Sequence, residues 1–160
     1  QRMGLVTDFK AYENLIFGYH HQEPFSKSSI LKEKEILSFS KKVMEEYDVR
    51  PSTPSLITSN FSGGNQQKII LSRELNENPK ILLVGQPTRG VDIGAIEFIH
   101  QRLIDMRDKG AAILLVSVEL DEVLSLSDRI VVMFDGQIVG EKINKNVTDR
   151  ELGLLMAGVA

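Results

Sequence analysis

The chain has 160 residues, with 19 Lys+Arg against 22 Asp+Glu, a formal net charge of −3. Its 42% apolar and 26% charged content fits a folded domain rather than a disordered segment, and the slight acidic excess argues against a general nucleic-acid binder. The absence of cysteine excludes disulfides and thiol catalysis and fits a reducing compartment. The longest apolar run, Ala111 to Val116, has six residues, far short of the roughly 20 that span a bilayer. No basic, then apolar, leader opens the chain. Because the first residue is Gln, the sequence reads as a processed chain or a piece of a longer one.

Leu5 and Val6 form a short apolar pair, Tyr12 to Tyr19 suits a short helix, and His20 to Pro24 reads as a loop. Ile36, Phe39, Val43 and Tyr47 then recur at spacings of three and four, the signature of an amphipathic helix. Ser28 and Ser29 are its candidate N-caps, and the Lys32-Glu33-Lys34-Glu35 run is a solvated face. That helix should stop by Asp48, before the turn cluster Pro51 to Pro54.

A third helix begins after Ser62. Ile81 to Val84 reads as a buried strand, and Ala95 to Lys109 as a helix with Ile96, Ile99, Leu103 and Met106 on one face, ended by Gly110. Ala112 to Ser117 is a second buried strand, Glu119 to Leu126 a short helix, and Ile130 to Phe134 a third strand. Asp135-Gly136 is a hairpin signal, so Gln137 to Lys142 should pair antiparallel with that strand. Thr148 and Glu151 form a capping box for a last helix ending near Gly158. Apolar strands alternating with helices predict an α/β fold with a mostly parallel sheet. A helix-rich part over about residues 1–78 precedes an α/β part over about 79–160.

The chemistry concentrates in Ser62-Gly63-Gly64-Asn65-Gln66-Gln67-Lys68. A hydroxyl and two glycines at a helix start leave backbone N–H groups aimed one way, with the helix dipole adding positive potential, which suits an anion such as phosphate. On its own, Gly-Gly before a helix is more often a plain turn. Other candidates are weaker. His20-His21 lacks a third metal ligand, His100 sits among surface residues, and Glu119, Asp121 and Glu122 suit the acidic first turn of a helix. No metal site is expected from these groups.

Taken in order, the motifs resemble the nucleotide-binding domains of ABC transporters. Ser62 to Lys68 is similar to the ABC signature, with Asn65 as in the tandem ATP-binding proteins of simple-sugar and nucleoside importers. Ile81 to Gln86 resembles Walker B, Thr88 to Asp92 the D-loop, and Ser117 to Glu119 the H-loop region. The wording Pro87-Thr88-Arg89-Gly90-Val91-Asp92 resembles the second, C-terminal ATPase domain of those proteins. The resemblance implies a P-loop NTPase-like fold with a helical signature subdomain. It implies ATP and Mg²⁺ as cofactors in the full assembly, and a location on the cytoplasmic side of the plasma membrane. It implies as partners a facing ATPase domain, transmembrane permease subunits and, indirectly, a solute-binding protein, with no nucleic acid. Ser62, Gly63, Gly64, Asn65 and Gln66, with Asp92 of the D-loop, would serve the ATP of the facing domain.

The departures from the family pattern are equally specific. These residues contain no G-x-x-x-x-G-K-[ST] loop, which the family carries upstream together with further strands. Where Walker B should end in Asp-Glu, Gly85 offers no metal ligand and Gln86 cannot take a proton. Val118 stands where the H-loop His is usual. The resemblance therefore implies an ATPase in the full-length protein, with no intact catalytic residue in this stretch and no activity from it alone. A non-catalytic regulatory or dimerisation module is the competing reading. A soluble ABC ATPase of translation or DNA repair is a third, though such proteins tend to carry basic linkers or long coiled coils.

Strands deprived of neighbours should leave an apolar face near Ile81 to Val84 and Ala112 to Ser117. Each exposed Leu, Ile or Val forfeits about 1.5–3 kcal/mol, so self-association, most simply as a homodimer, is expected.

Overall fold

The computed structural model describes residues 4–159. They divide into two compact units: residues up to Lys80 with Thr88–Ala111, and Ile81–Pro87 with residues from Ala112 onward.

The first unit contains α1 (Ala11–Leu15), a small hairpin of β1 (Ser26–Lys27) and β2 (Ile30–Leu31), α2 (Glu33–Glu46), α3 (Gly63–Leu75) and α4 (Ile93–Asp108). Helix α2 buries Ile36, Val43 and Met44, with Tyr47 just beyond its end, as the periodicity predicts. Phe39 is partly buried and meets Phe25 edge-on at 4.8 Å, closing a cluster of Ile16, Phe25 and Ile36. Helix α1 is shorter than the Tyr12 to Tyr19 span expected. Asn14 in it is buried and fully engaged: it accepts from Val6 N at 2.9 Å and donates to the Val6 carbonyl and Thr58 Oγ1, each at 2.9 Å.

Ser28 and Ser29 do not cap α2. They form the two-residue tip of the β1–β2 hairpin, with φ of 52° and 64°, the left-handed pair that a type I′ turn requires. The residue before α2 is Lys32, with no side-chain cap, and Glu33 and Glu35 in the first turn provide the favourable charge instead. In α4 the buried set is Ala95, Ile99, Leu103 and Met106. Ala95 replaces the expected Ile96, which is only half-buried.

The second unit contains β3 (Ile81–Gly85), β4 (Ala112–Val116), α5 (Leu120–Leu126), β5 (Arg129–Phe134), β6 (Gln137–Ile143) and α6 (Asp149–Met156). β3 and β4 pair in parallel, Ile81 opposite Ala112 through Gly85 opposite Val116. β5 and β6 form the expected antiparallel hairpin through Asp135-Gly136, with a bulge between Val132 and Met133. Helix α6 lays Leu152 on Ile130 and Val132, a core completed by side chains of α5. The Thr148/Glu151 capping box is present at its start.

Two expectations need correction. Among the described residues, parallel pairing is confined to β3–β4, and the other sheets are antiparallel hairpins. Nor are β3 and β4 buried on both faces, as their apolar runs alone suggest: Ile81 and Leu83 are 72% and 74% exposed, and on β4 Leu114, opposite Leu83, and Val116, opposite Gly85, are 60% and 59% exposed, the apolar face expected of strands deprived of neighbours. Side chains alternate across a pleated strand, so one face of the pair is shielded and the other is an apolar surface. A continuous apolar run signals two-sided burial only when layers cover both faces.

Candidate functional site

The signature residues are organised by the start of α3. Ser62 is its N-cap, and its Oγ accepts from Asn65 N at 3.4 Å and from Asn65 Nδ2 at 2.9 Å. Asn65 Oδ1 in turn accepts from Arg50 N at 2.7 Å. Gly63 opens the helix. Gly64 is buried, and the reason for glycine there is a close approach: a Cβ would lie 2.9 Å from Asp92 Oδ2 and 3.1 Å from Ala95 Cβ. Asp92 caps α4, its Oδ1 accepting from Ala95 N at 2.9 Å. The N-termini of α3 and α4 therefore abut, joining signature and D-loop residues in one place. Gln66 is turned back, its Nε2 donating to the Phe61 carbonyl at 2.9 Å.

A shallow concavity of about 250 Å³ opens there, lined by Gly64, Asn65, Lys68, Asp92 and Asp48 among others. Lys68 Nζ donates to Asp48 Oδ2 at 3.1 Å and to the Asp48 carbonyl at 2.9 Å, and lies 4.8 Å from the centre of the Phe98 ring. Arg50 Nε donates to Asp48 Oδ1 at 2.7 Å. Hydrogen bonds first from Arg50 and then from Lys68 hold the Asp48 carboxyl below its ordinary range. The sequence reading missed Asp48 and Arg50 as supports of the site and gave Lys68 no role. The available signal was Lys68 at three residues from Asn65, on the same helical face.

The residues at the Walker B-like and H-loop-like positions lie in the second unit. Gly85 ends β3 opposite Val116, in open space: nothing lies within 4 Å of an added Cβ. Gln86 takes φ of 51° and donates its N–H to the Val116 carbonyl at 2.8 Å. Val118 follows two residues beyond Val116 and is 62% exposed. Gly85, Gln86 and Val118 thus gather beyond the C-terminal ends of a parallel pair, the location where open α/β sheets bind ligands. The Gly85 and Val118 side chains offer no ligand atom, and the lone amide oxygen of Gln86 does not make a divalent-cation site.

Elsewhere, His20 and His21 stack edge-on at 5.6 Å in a turn. Among the described residues no three His, Asp or Glu side chains gather as metal ligands. Asp121 and Glu122 occupy the first turn of α5, with Glu119 as its N-cap, and Glu122 is buried.

No protein-family model matches the chain. It is 48% identical over 157 residues to the nucleoside import ATP-binding protein NupA of Lactococcus lactis, covering 98% of this chain and 31% of that protein. The guanosine import ATP-binding protein NupO of Bacillus subtilis is 46% identical over 155 residues, 97% of this chain and 30% of that one. The solved ATP-binding cassette MJ1267 of an ABC transporter superposes with a TM-score of 0.72 at 28% identity, over 94% of this chain and 63% of that one. Over nearly its whole length the chain thus matches one part of the ATP-binding proteins of ABC transporters. Its fold is that of an α/β ABC cassette, with the chain spanning about a third of the length of these curated relatives and less than two thirds of the solved cassette.

Proposed function

We propose that this chain is part of the C-terminal ATPase domain of an ABC importer for nucleosides, and that its two polar centres have unequal duties. Ser62 and the amides of Gly63 and Gly64 face the γ-phosphate of an ATP held by the opposing domain, with Asp92 supporting them from the D-loop. The observation that carries this reading is the N-terminus of α3, capped by Ser62 and docked through Gly64 on Asp92. ATP, when bound, supplies the phosphoanhydride that is cleaved. The residues of this stretch contribute donors to it and no metal ligand, so Mg²⁺ is held by the rest of the assembly.

The centre at Gly85, Gln86 and Val118 binds nucleotide in the assembly but turns it over slowly or not at all. Loss of a general base typically costs about 10²–10⁴-fold, and Gln86 retains only the ability to orient a water by hydrogen bonds. Hydrolysis is then asymmetric, and the site borrowing Ser62 is the productive one. The helical first unit couples to the permease subunits on the cytoplasmic face of the membrane. The 160-residue chain alone, without a phosphate loop in its sequence, has no ATPase activity and self-associates through the exposed face of β3–β4.

Nucleosides are preferred over simple sugars because the relatives at 48% and 46% identity are named for nucleoside and guanosine import. Uptake of radiolabelled guanosine, uridine and ribose into vesicles bearing the full-length protein with its permease tests this. Nucleoside uptake that needs ATP and fails in Ser62→Ala is expected. Ribose uptake alone makes the importer a sugar transporter. ATP-independent behaviour with no uptake favours the regulatory-module reading.

A further inference from the structure

Asn65 links the main chain of Arg50 to the hydroxyl of Ser62, and the chemistry of that link fixes a proton. Arg50 N is a donor and nothing else, so the Asn65 atom 2.7 Å from it is the carbonyl oxygen. The Asn65 amide nitrogen is thereby turned to Ser62, 2.9 Å from Oγ, and Asn65 N–H reaches the same oxygen at 3.4 Å. A hydroxyl has two acceptor positions and one proton. With both acceptor positions directed at Asn65 donors, the Ser62 proton points away from α3. Arg50 belongs to a braced loop, since its own Nε and Lys68 Nζ both hold the Asp48 carboxylate.

We propose that Asn65 is a positioning residue: its amide, clamped by the Arg50 main chain, holds Ser62 as an outward-facing hydrogen-bond donor for a phosphoryl oxygen. This rests on the reading of Ser62 as an ATP-facing residue. Replacing the amide by a carboxylate would reverse the polarity. An Asp at position 65 accepts only, so it would draw the Ser62 proton inward and place negative charge where the phosphate belongs. For the helix itself, an acid in the first turn is favourable. Stability and activity therefore move in opposite directions, which a purely structural role does not produce.

The test uses the full-length protein assembled with its permease. ATPase kcat and thermal midpoint are measured for Ser62→Ala, Asn65→Ala, Asn65→Asp and the Ser62→Ala/Asn65→Ala double variant. Asn65→Ala is expected to lower kcat about tenfold when Ser62 is present, and by less than about twofold when Ser62 is already Ala, because residues acting as one unit are non-additive. Asn65→Asp is expected to be less active than Asn65→Ala, with an equal or higher thermal midpoint. Equal losses in both Ser62 backgrounds, a wild-type rate in Asn65→Asp, or activity falling only in step with the thermal midpoint would each overturn the proposal. A wild-type rate in Ser62→Ala would overturn the underlying ATP-facing reading as well, whereas a large Ser62→Ala loss with additive Asn65 losses rejects the positioning role alone.

Discussion

The start of α3 and the ends of β3 and β4 are the two places where this chain could meet a nucleotide, and they are built differently. At the start of α3 the polar side chains are interlinked: Ser62 with Asn65, Asn65 with Arg50, Asp92 with Ala95, and Asp48 with Arg50 and Lys68. Gly64 packs closely, since a Cβ there would lie 2.9 Å from Asp92 Oδ2 and 3.1 Å from Ala95 Cβ. At the strand ends the backbone still converges, with Gln86 bonded to Val116, but the side chains offer no carboxylate and no imidazole. Gly85 sits in open space. The strand ends thus share a backbone arrangement without close side-chain packing at Gly85, while the helix terminus combines an N-cap hydroxyl with close packing at Gly64.

The sharpest way to break this contrast is at Gly64. In the full-length protein Gly64→Asp should cut ATPase by about a hundredfold or more, since it adds negative charge where the proposed function puts a phosphate. The structure adds a second cause, because the Cβ itself meets the Asp92 carboxylate at 2.9 Å. Gly64→Ala measured alongside isolates that steric share. Wild-type rates in both would reject the assignment.

The strand ends are tested in the other direction. Gly85→Asp, Gln86→Glu and Val118→His together should raise the ATPase rate by more than the three single gains combined, because catalytic groups act as a unit. Gln86→Glu alone should yield little. The open space at Gly85 removes a steric objection to the carboxylate. Simply additive gains would show that these positions do not share a site.

A third measurement concerns the exposed face of Ile81, Leu83, Leu114 and Val116. Light scattering over a concentration series should show the 160-residue chain associating, and Leu83→Lys with Leu114→Glu should return it towards monomer. A stable monomer of the unmodified chain at high concentration would contradict this.

The smallest effect expected is at Asp48. Its carboxyl is held below the ordinary range by Arg50 and Lys68, so its contribution is complete at neutral pH, above the unfolded-state value. It is lost as pH falls through that value and then through the lowered folded one. The Asp48 side chain is 48% exposed, and a surface ion pair of this kind is worth about 0–1 kcal/mol. Thermal melts of wild type and Asp48→Asn should therefore differ slightly at pH 7 and converge in acid. A gap that widens in acid would have the wrong sign.

Much of the fold was legible because it rests on local chemistry. The α2 stripe of Ile36, Val43 and Tyr47, the Asp135-Gly136 turn and the Thr148/Glu151 capping box each follow from a spacing or a backbone preference. What failed was non-local or ambiguous. Serines serve caps and turns alike, so Ser28 and Ser29 could not be assigned to the hairpin tip from residue type. An apolar run such as Ile81 to Val84 says that a strand forms, not how many layers cover it. At the candidate site, the start of α3 just after Ser62 was readable from the motif. The clamp from Arg50 through Asn65, and the Asp48–Lys68 pair that braces it, join residues 15 and 20 positions apart, which no periodicity encodes.

The proposed inequality of the two centres is read most cleanly from the steady-state ATPase of the full-length, permease-bound protein carrying either Ser62→Ala or Gln86→Ala. The account predicts a loss of about 10²-fold for Ser62→Ala, the scale of removing one preorganised donor from a developing charge. It predicts a rate within about twofold of wild type for Gln86→Ala, because a site already lacking its metal-side carboxylate contributes little turnover to lose. Equal losses from the two substitutions, or a loss confined to Gln86→Ala, would contradict it.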